Sequence, residues 1–117
     1  MLLLTSTSDT LQIVTDSAAA IDVHATFVDT SAGTITPGRQ NTSIIAAATT
    51  VVVPAPAAVT QRNVKSLHVR NKDAALSALV TIQIHDATGA LPLYQASRLN
   101  AGQMLEMLDM GGLKGPV

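Results

Sequence analysis

The chain contains no cysteine and no tryptophan, one phenylalanine (Phe27) and one tyrosine (Tyr94). Without cysteine there is no disulfide framework, no thiol nucleophile and no cysteine-based zinc site. Two aromatic side chains are too few for a protein that stacks nucleic-acid bases, and the basic excess that usually accompanies such binding is also missing, since the net charge is −1. Charged residues make up 13% of the chain, against about 25% in an ordinary soluble domain. A surface built so largely from Thr, Ser, Ala, Asn and Gln suits a subunit that hides area in an assembly. The competing explanation is that abundant alanine inflates the mean hydropathy of +0.34. No apolar run is long enough to span a membrane. The opening Met1-Leu2-Leu3-Leu4 lacks a preceding positive charge and is too short for a signal-peptide core. It reads as a first, edge strand over Leu2–Thr5, with no targeting segment.

What is present is alternation. Ile21, Val23, Ala25 and Phe27 fall on one face of a strand and Asp22, His24 and Thr26 on the other. In Gln61–Asn71, Val64, Leu67 and Val69 form the apolar set and Lys65, His68 and Arg70 the polar set. The phase slips near Lys65-Ser66, which predicts a bulge. In Leu79–His85, Val80, Ile82 and Ile84 face in, and Thr81, Gln83 and His85 face out. With Asn71-Lys72-Asp73-Ala74-Ala75 as the turn between them, these last two segments read as adjacent antiparallel strands. Leu11–Thr15, Thr34–Thr36, Thr49–Val53, Leu91–Leu99 and Met104–Met110 add further strands. Pro37-Gly38 reads as a turn that closes one of them, and Arg39–Ser43 as a loop. The alanine-rich part of Ile44–Val53 reads as strand or irregular chain. Pro54-Ala55-Pro56-Ala57-Ala58 reads as a stiff connector between two sheets. Turns recur roughly every ten residues, no segment shows helical periodicity with caps, and no unit is duplicated. The expectation is one all-β domain over residues 1–110, an antiparallel β-sandwich or jelly-roll-like barrel of about eight or nine short strands. A flexible C-terminal tail over 111–117 would follow, ordered only by a partner.

Catalytic signatures are scarce. There is no nucleophile elbow, no P-loop and no dinucleotide-binding glycine pattern. Asp22 and His24 share a strand face at a spacing that can hold a metal, but a site needs three or four converging ligands. Asp9, Asp16, Asp22, Asp29, Asp73, Asp86, Glu106 and Asp109 mostly sit in or beside turns, where turn hydrogen bonding accounts for them. The expectation is a non-enzymatic protein with no metal and no cofactor. Arg62, Lys65, Arg70 and Lys72 crowd into eleven positions around His68. The functional reading is a contact surface for an acidic partner or another subunit, since arginine binds carboxylates in bidentate fashion at interfaces. The plainer reading is a solvated strand face.

Three stretches carry a family resemblance: Gln61–Lys72, Val80-Thr81-Ile82-Gln83, and Leu99-Asn100-Ala101-Gly102-Gln103-Met104-Leu105. Together with Leu2–Asp9, Val23-His24-Ala25 and Thr34-Ile35-Thr36-Pro37-Gly38-Arg39, they resemble a group of small structural proteins of tailed bacteriophages. The likeness spans nearly the whole chain and consists of strand and turn patterns, so it brings no catalytic residues. It implies a virion component, made in the bacterial host cytoplasm and placed on the outer capsid surface. The implied role is a capsid decoration (cement) protein that bridges subunits of the major capsid protein, often as a trimer of itself, with neither nucleic acid nor membrane as a partner. Arg62, Lys65, His68, Arg70 and Lys72 are then the candidate contacts, and Leu2, Leu3, Leu4, Leu113 and Val117 the candidate assembly arms. The runner-up is a neck or tail adaptor or fibre-associated module. A carbohydrate-binding sandwich is disfavoured by the shortage of rings for sugar stacking.

Overall fold

A computed structural model describes residues 2–108 and 112–114. All regular structure among them is β: β1 (Leu2–Leu4), β2 (Thr10–Thr15), β3 (Ile21–Ser31), β4 (Thr34–Ile44), β5 (Thr49–Val53), β6 (Gln61–Asn71), β7 (Ala78–Asp86), β8 (Gly89–Leu99), β9 (Met104–Leu108) and β10 (Gly112–Lys114). They form two antiparallel sheets packed face to face, a β-sandwich. One sheet has the order β10-β9-β6-β3-β4, with β1 also paired to β6; the other has the order β5-β2-β7-β8. Only β3–β4, β7–β8 and β9–β10 are hairpins; every other connection crosses between sheets.

The core lies where the alternation places it. Ile21, Val23, Ala25 and Phe27 of β3 face Leu11 and Ile13 of β2 and Val80 and Ile82 of β7 across the sandwich, with Leu4, Val64, Leu67, Val69, Leu99 and Leu105 completing it. Each large aliphatic chain buried in this way contributes about 1.5–3 kcal/mol. The slip in β6 is a bulge. Thr26 pairs with Ser66 and Phe27 with Val64, so Lys65 is skipped by the ladder. One flank of β6 is covered by β3, and the other is divided between β1 at residues 62–64 and β9 at residues 66–70.

Several expectations change. β6 and β7 are not neighbours: they lie in different sheets, and residues 72–77 carry the chain across the sandwich. Alternation defines a wet and a dry face but not the strand at the edge of the ladder, so two alternating segments in succession need not pair. Asp73 holds this crossing, accepting bonds from the backbone N–H groups of Ala20 (3.2 Å), Ala75 (3.0 Å) and Leu76 (2.8 Å). The second change concerns β4, which runs without interruption from Thr34 to Ile44 through the expected turn and loop. Pro37 is tolerated because β4 is an edge strand. Gly38 is needed for close approach: the Phe27 ring lies over it, and a Cβ there would come within 2.6 Å of Phe27 Cε2. The turn joining β3 to β4 is Ala32-Gly33, with φ of 49° and 83°, the two-residue turn that matches strand twist. The connector from Pro54 does cross between sheets, and Ile45–Ala48 is irregular.

The N-terminal leucines form a strand of the sandwich rather than a free arm. Leu4 is fully buried, Leu2 packs against the core, and only Leu3 is outward, at 46% exposure. Of the 111–117 tail, Gly112–Lys114, including Leu113, pairs with β9. Val117 lies outside the described residues.

Candidate partner-contact face

The outer face of the β4-β3-β6-β9 sheet is built in cross-strand rows. In one row Asn41, His24, His68 and Glu106 stand side by side on four successive strands. His24 Nδ1 is hydrogen-bonded to Asn41 Oδ1. His68 Nε2 lies 3.2 Å from Met104 Sδ and 3.6 Å from Glu106 Oε1. The next row holds Ser43, Asp22, Arg70 and Met104, and Lys72 Nζ reaches Asp22 Oδ1 at 3.1 Å. On the opposite side of the histidine row, Arg39, Thr26 and Ser66 align, with 2.6 Å between the two hydroxyl oxygens. The bulge sets Lys65 beside this row. Two open grooves run along the face. One, of about 420 Å³, lies beside Asp22, His24 and Asn41; the other, of about 450 Å³, lies between Val28, Pro37, Arg39 and Lys65.

Four of the seven Lys and Arg residues, Arg39, Lys65, Arg70 and Lys72, thus border a single sheet face, against the carboxylates of Asp22 and Glu106. The opposite sheet presents Gln12, Val14, Thr81 and Gln83 outward, with Gln83 Nε2 donating to Gln12 Oε1 at 2.7 Å. Arg98 of β8 is the one Lys or Arg on that sheet, against four that border the β4-β3-β6-β9 face.

The chain matches no known family model, curated protein or solved structure.

Lys65, His68, Arg70 and Lys72 are brought together on or beside this face as the sequence suggests. Arg62 is not among them. It lies on the inner side of the sheet, in phase with Val64, where it closes the rim of the core. Its Nε and Nη2 donate to the two carboxylate oxygens of Asp29 at 2.8 and 2.9 Å, and its Nη1 donates to Pro54 O at 2.8 Å. The guanidinium lies 4.3 Å from the Phe27 ring centroid. With side-chain exposures of 13% for Arg62 and 24% for Asp29, this is a structural clamp on the β5–β6 connector. The Arg62 hydrogen bonds hold the Asp29 carboxyl below the usual 3.8, against the opposing effect of its desolvation.

Arg39 takes the place that Arg62 vacates. It was invisible as a site residue because its segment reads as loop. Asp22 and His24 do share a face, but among the described residues no group of three or more His, Asp or Glu side chains lies close enough to hold a metal ion. Asp9, Asp73 and Asp86 serve their turns, each carboxyl held below 3.8 by hydrogen bonds, chiefly from Thr5 N–H, Leu76 N–H and the Thr88 hydroxyl respectively.

Proposed function

We propose that this protein is a non-enzymatic structural component of a tailed-phage virion, a capsid decoration protein that bridges major capsid subunits through the outer face of the β4-β3-β6-β9 sheet. The virion assignment rests on the strand and turn patterns quoted above. The observation that supports a docking role is the segregation of Arg39, Lys65, Arg70 and Lys72 to that face of a chain otherwise poor in charge. A basic, hydroxyl-rich sheet face is complementary to an acidic protein surface: its arginines can bind carboxylates bidentately, and its electrostatics favour rapid encounter at low salt. Binding at many equivalent sites of an assembled shell, and not to free capsid subunits, stabilises the shell by mass action in proportion to occupancy.

The test is add-back. Phage particles stripped of the protein should lose heat resistance and recover it when purified protein is restored. Arg70→Glu with Lys72→Glu should bind the particles at least about tenfold more weakly, since reversing rim charges opposes a complementary potential. Unchanged particle stability on stripping and add-back defeats the cement reading. Particle images that place the protein at the neck or tail would favour the adaptor role instead.

A further inference from the structure

We infer that β4 is a self-association strand, and that two copies of this chain pair antiparallel through their β4 edges to form one continuous sheet. Sheet edges expose unpaired N–H and C=O groups, and proteins usually blunt them by shortening, bulging or charging them. The other edges here are blunted. β10 and β1 are three residues long, β5 is five residues long with a register shift against it, and the ladder that holds β8 shifts register twice. β4 is different: its eleven residues pair with β3 in unbroken register.

The direction of its free groups follows from the hairpin. A two-residue turn makes Ser31 and Thr34 a hydrogen-bonded pair, so the even residues of β4 bond to β3 and the odd residues face outward. The same parity holds across the sheet, where Asn71 of β6 sends its N–H and C=O to Gln103 and Gly102 on the side away from β3. The outward groups of β4 therefore belong to Ile35, Pro37, Arg39, Asn41 and Ser43. Pro37 lacks a donor, which leaves the N–H groups of Ile35, Arg39, Asn41 and Ser43 to bind a partner.

The complementarity is to a second copy. Arg39 is the only charged residue of β4. The two-fold register that sets Arg39 of one copy against Asn41 of the other keeps the arginines from facing each other, and it uses both backbone groups of both residues. In the same register Ser43 N–H donates to the Pro37 carbonyl, and the Ser43 carbonyl is left to water because Pro37 has no N–H. At the ends of the strand, Ile35 and the following Ile45 are 69% and 70% exposed, apolar surface that pairing can cover. The two-fold axis stands perpendicular to the sheet, so both basic faces point the same way and the dimer presents two contact faces to one shell. A single strand pair lies at the small end of stable interfaces, so Kd should be about micromolar.

Sedimentation from about 1 µM to about 1 mM, together with amide exchange, tests the pairing on the intact chain. The mass should rise from 12.1 kDa towards twice that value. The amides of Ile35, Arg39, Asn41 and Ser43 should gain at least about tenfold protection with concentration, while those of Thr36, Gly38, Gln40 and Thr42 stay protected throughout. Arg39→Pro removes an outward donor without touching the β3 ladder and should yield a monomer; Asn41→Lys, which sets a charge against Arg39, is the second variant. A monomer at every concentration, a trimer, a dimer with unprotected odd-numbered amides, or a folded Arg39→Pro dimer would each overturn the inference. These readouts are taken in solution and do not depend on the virion reading, whose failure appears only on particles.

Discussion

Replacing Asn71 by alanine should be among the most damaging single changes in the chain. Its side chain is fully buried and joins three segments. Nδ2 donates to Leu76 O at 2.8 Å and to Leu99 O at 2.9 Å, and Oδ1 accepts from Asp73 N at 3.0 Å. The bond to Leu99 is fully buried, so its loss strands a carbonyl without water and costs about 1–3 kcal/mol; the two part-buried bonds are worth about 1 kcal/mol each. The total is about 3–5 kcal/mol, or about 12–20 °C in Tm for a domain of this size. Asn71→Asp sharpens the test because shape and the Oδ1 acceptor survive while the donors become an oxygen facing two carbonyls. Burial should raise the folded-state pKa of that new carboxyl. The native state then binds the proton more tightly than the unfolded state, and stability falls as pH rises through the range between the two pKa values. Urea unfolding followed by circular dichroism at pH 5 and pH 8 reads both effects. An Asn71→Ala variant within about 1 kcal/mol of the parent, or an Asn71→Asp variant whose deficit does not change with pH, would refute the reasoning.

Arg62→Met should destabilise by about 2 kcal/mol, because Asp29 loses a bidentate partner at a rim only partly open to water; a double-mutant cycle with Asp29→Asn should show coupling, and additivity would contradict the clamp. Val59 is 95% exposed with φ of 57°, a conformation costly for a β-branched residue, so Val59→Gly should raise stability by about 1 kcal/mol in the same urea assay. Asp9, Asp29, Asp73 and Asp86 all have carboxyls held below 3.8. Their contribution is fully present above that value and is lost as pH falls through their lower folded-state values, so Tm should hold down to about pH 5 and decline below about pH 4; a Tm that rises on acidification would contradict these assignments.

The dry faces were legible because burial enforces period two: the core residues of β3, β6 and β7 are those that alternation selects. The Lys65 slip was legible too, and it held more information than its identification as a bulge. Upstream of it, Arg62 and Val64 face the core; downstream, Leu67, Val69 and Asn71 do. Parity alone therefore puts Arg62 and Asn71 inside, where residue type argues for the surface. Pairing was not legible. Whether β6 lies beside β3 or β7 is decided by contacts between distant segments, and no local pattern encodes them. β4 was obscured because Pro37 and Gly38 punctuate loops far more often than strands; here one lies on a free edge and the other lies beneath an aromatic ring. The histidine row and Arg39 of the contact face follow from this pairing and were hidden with it.

The shared flank of β6 also constrains the order in which the molecule can be made. Residues 62–64 emerge from the ribosome with their partner β1 already made, whereas residues 66–70 wait for β9, more than thirty residues further along. Until synthesis passes residue 108, half of the central strand has a bare edge and the core lacks Leu105. Folding dominated by such distant closures is slow, on a scale of milliseconds to seconds. A chain that stops short of β9 leaves that edge bare and the core incomplete, the kind of exposed surface on which unpaired strand edges aggregate.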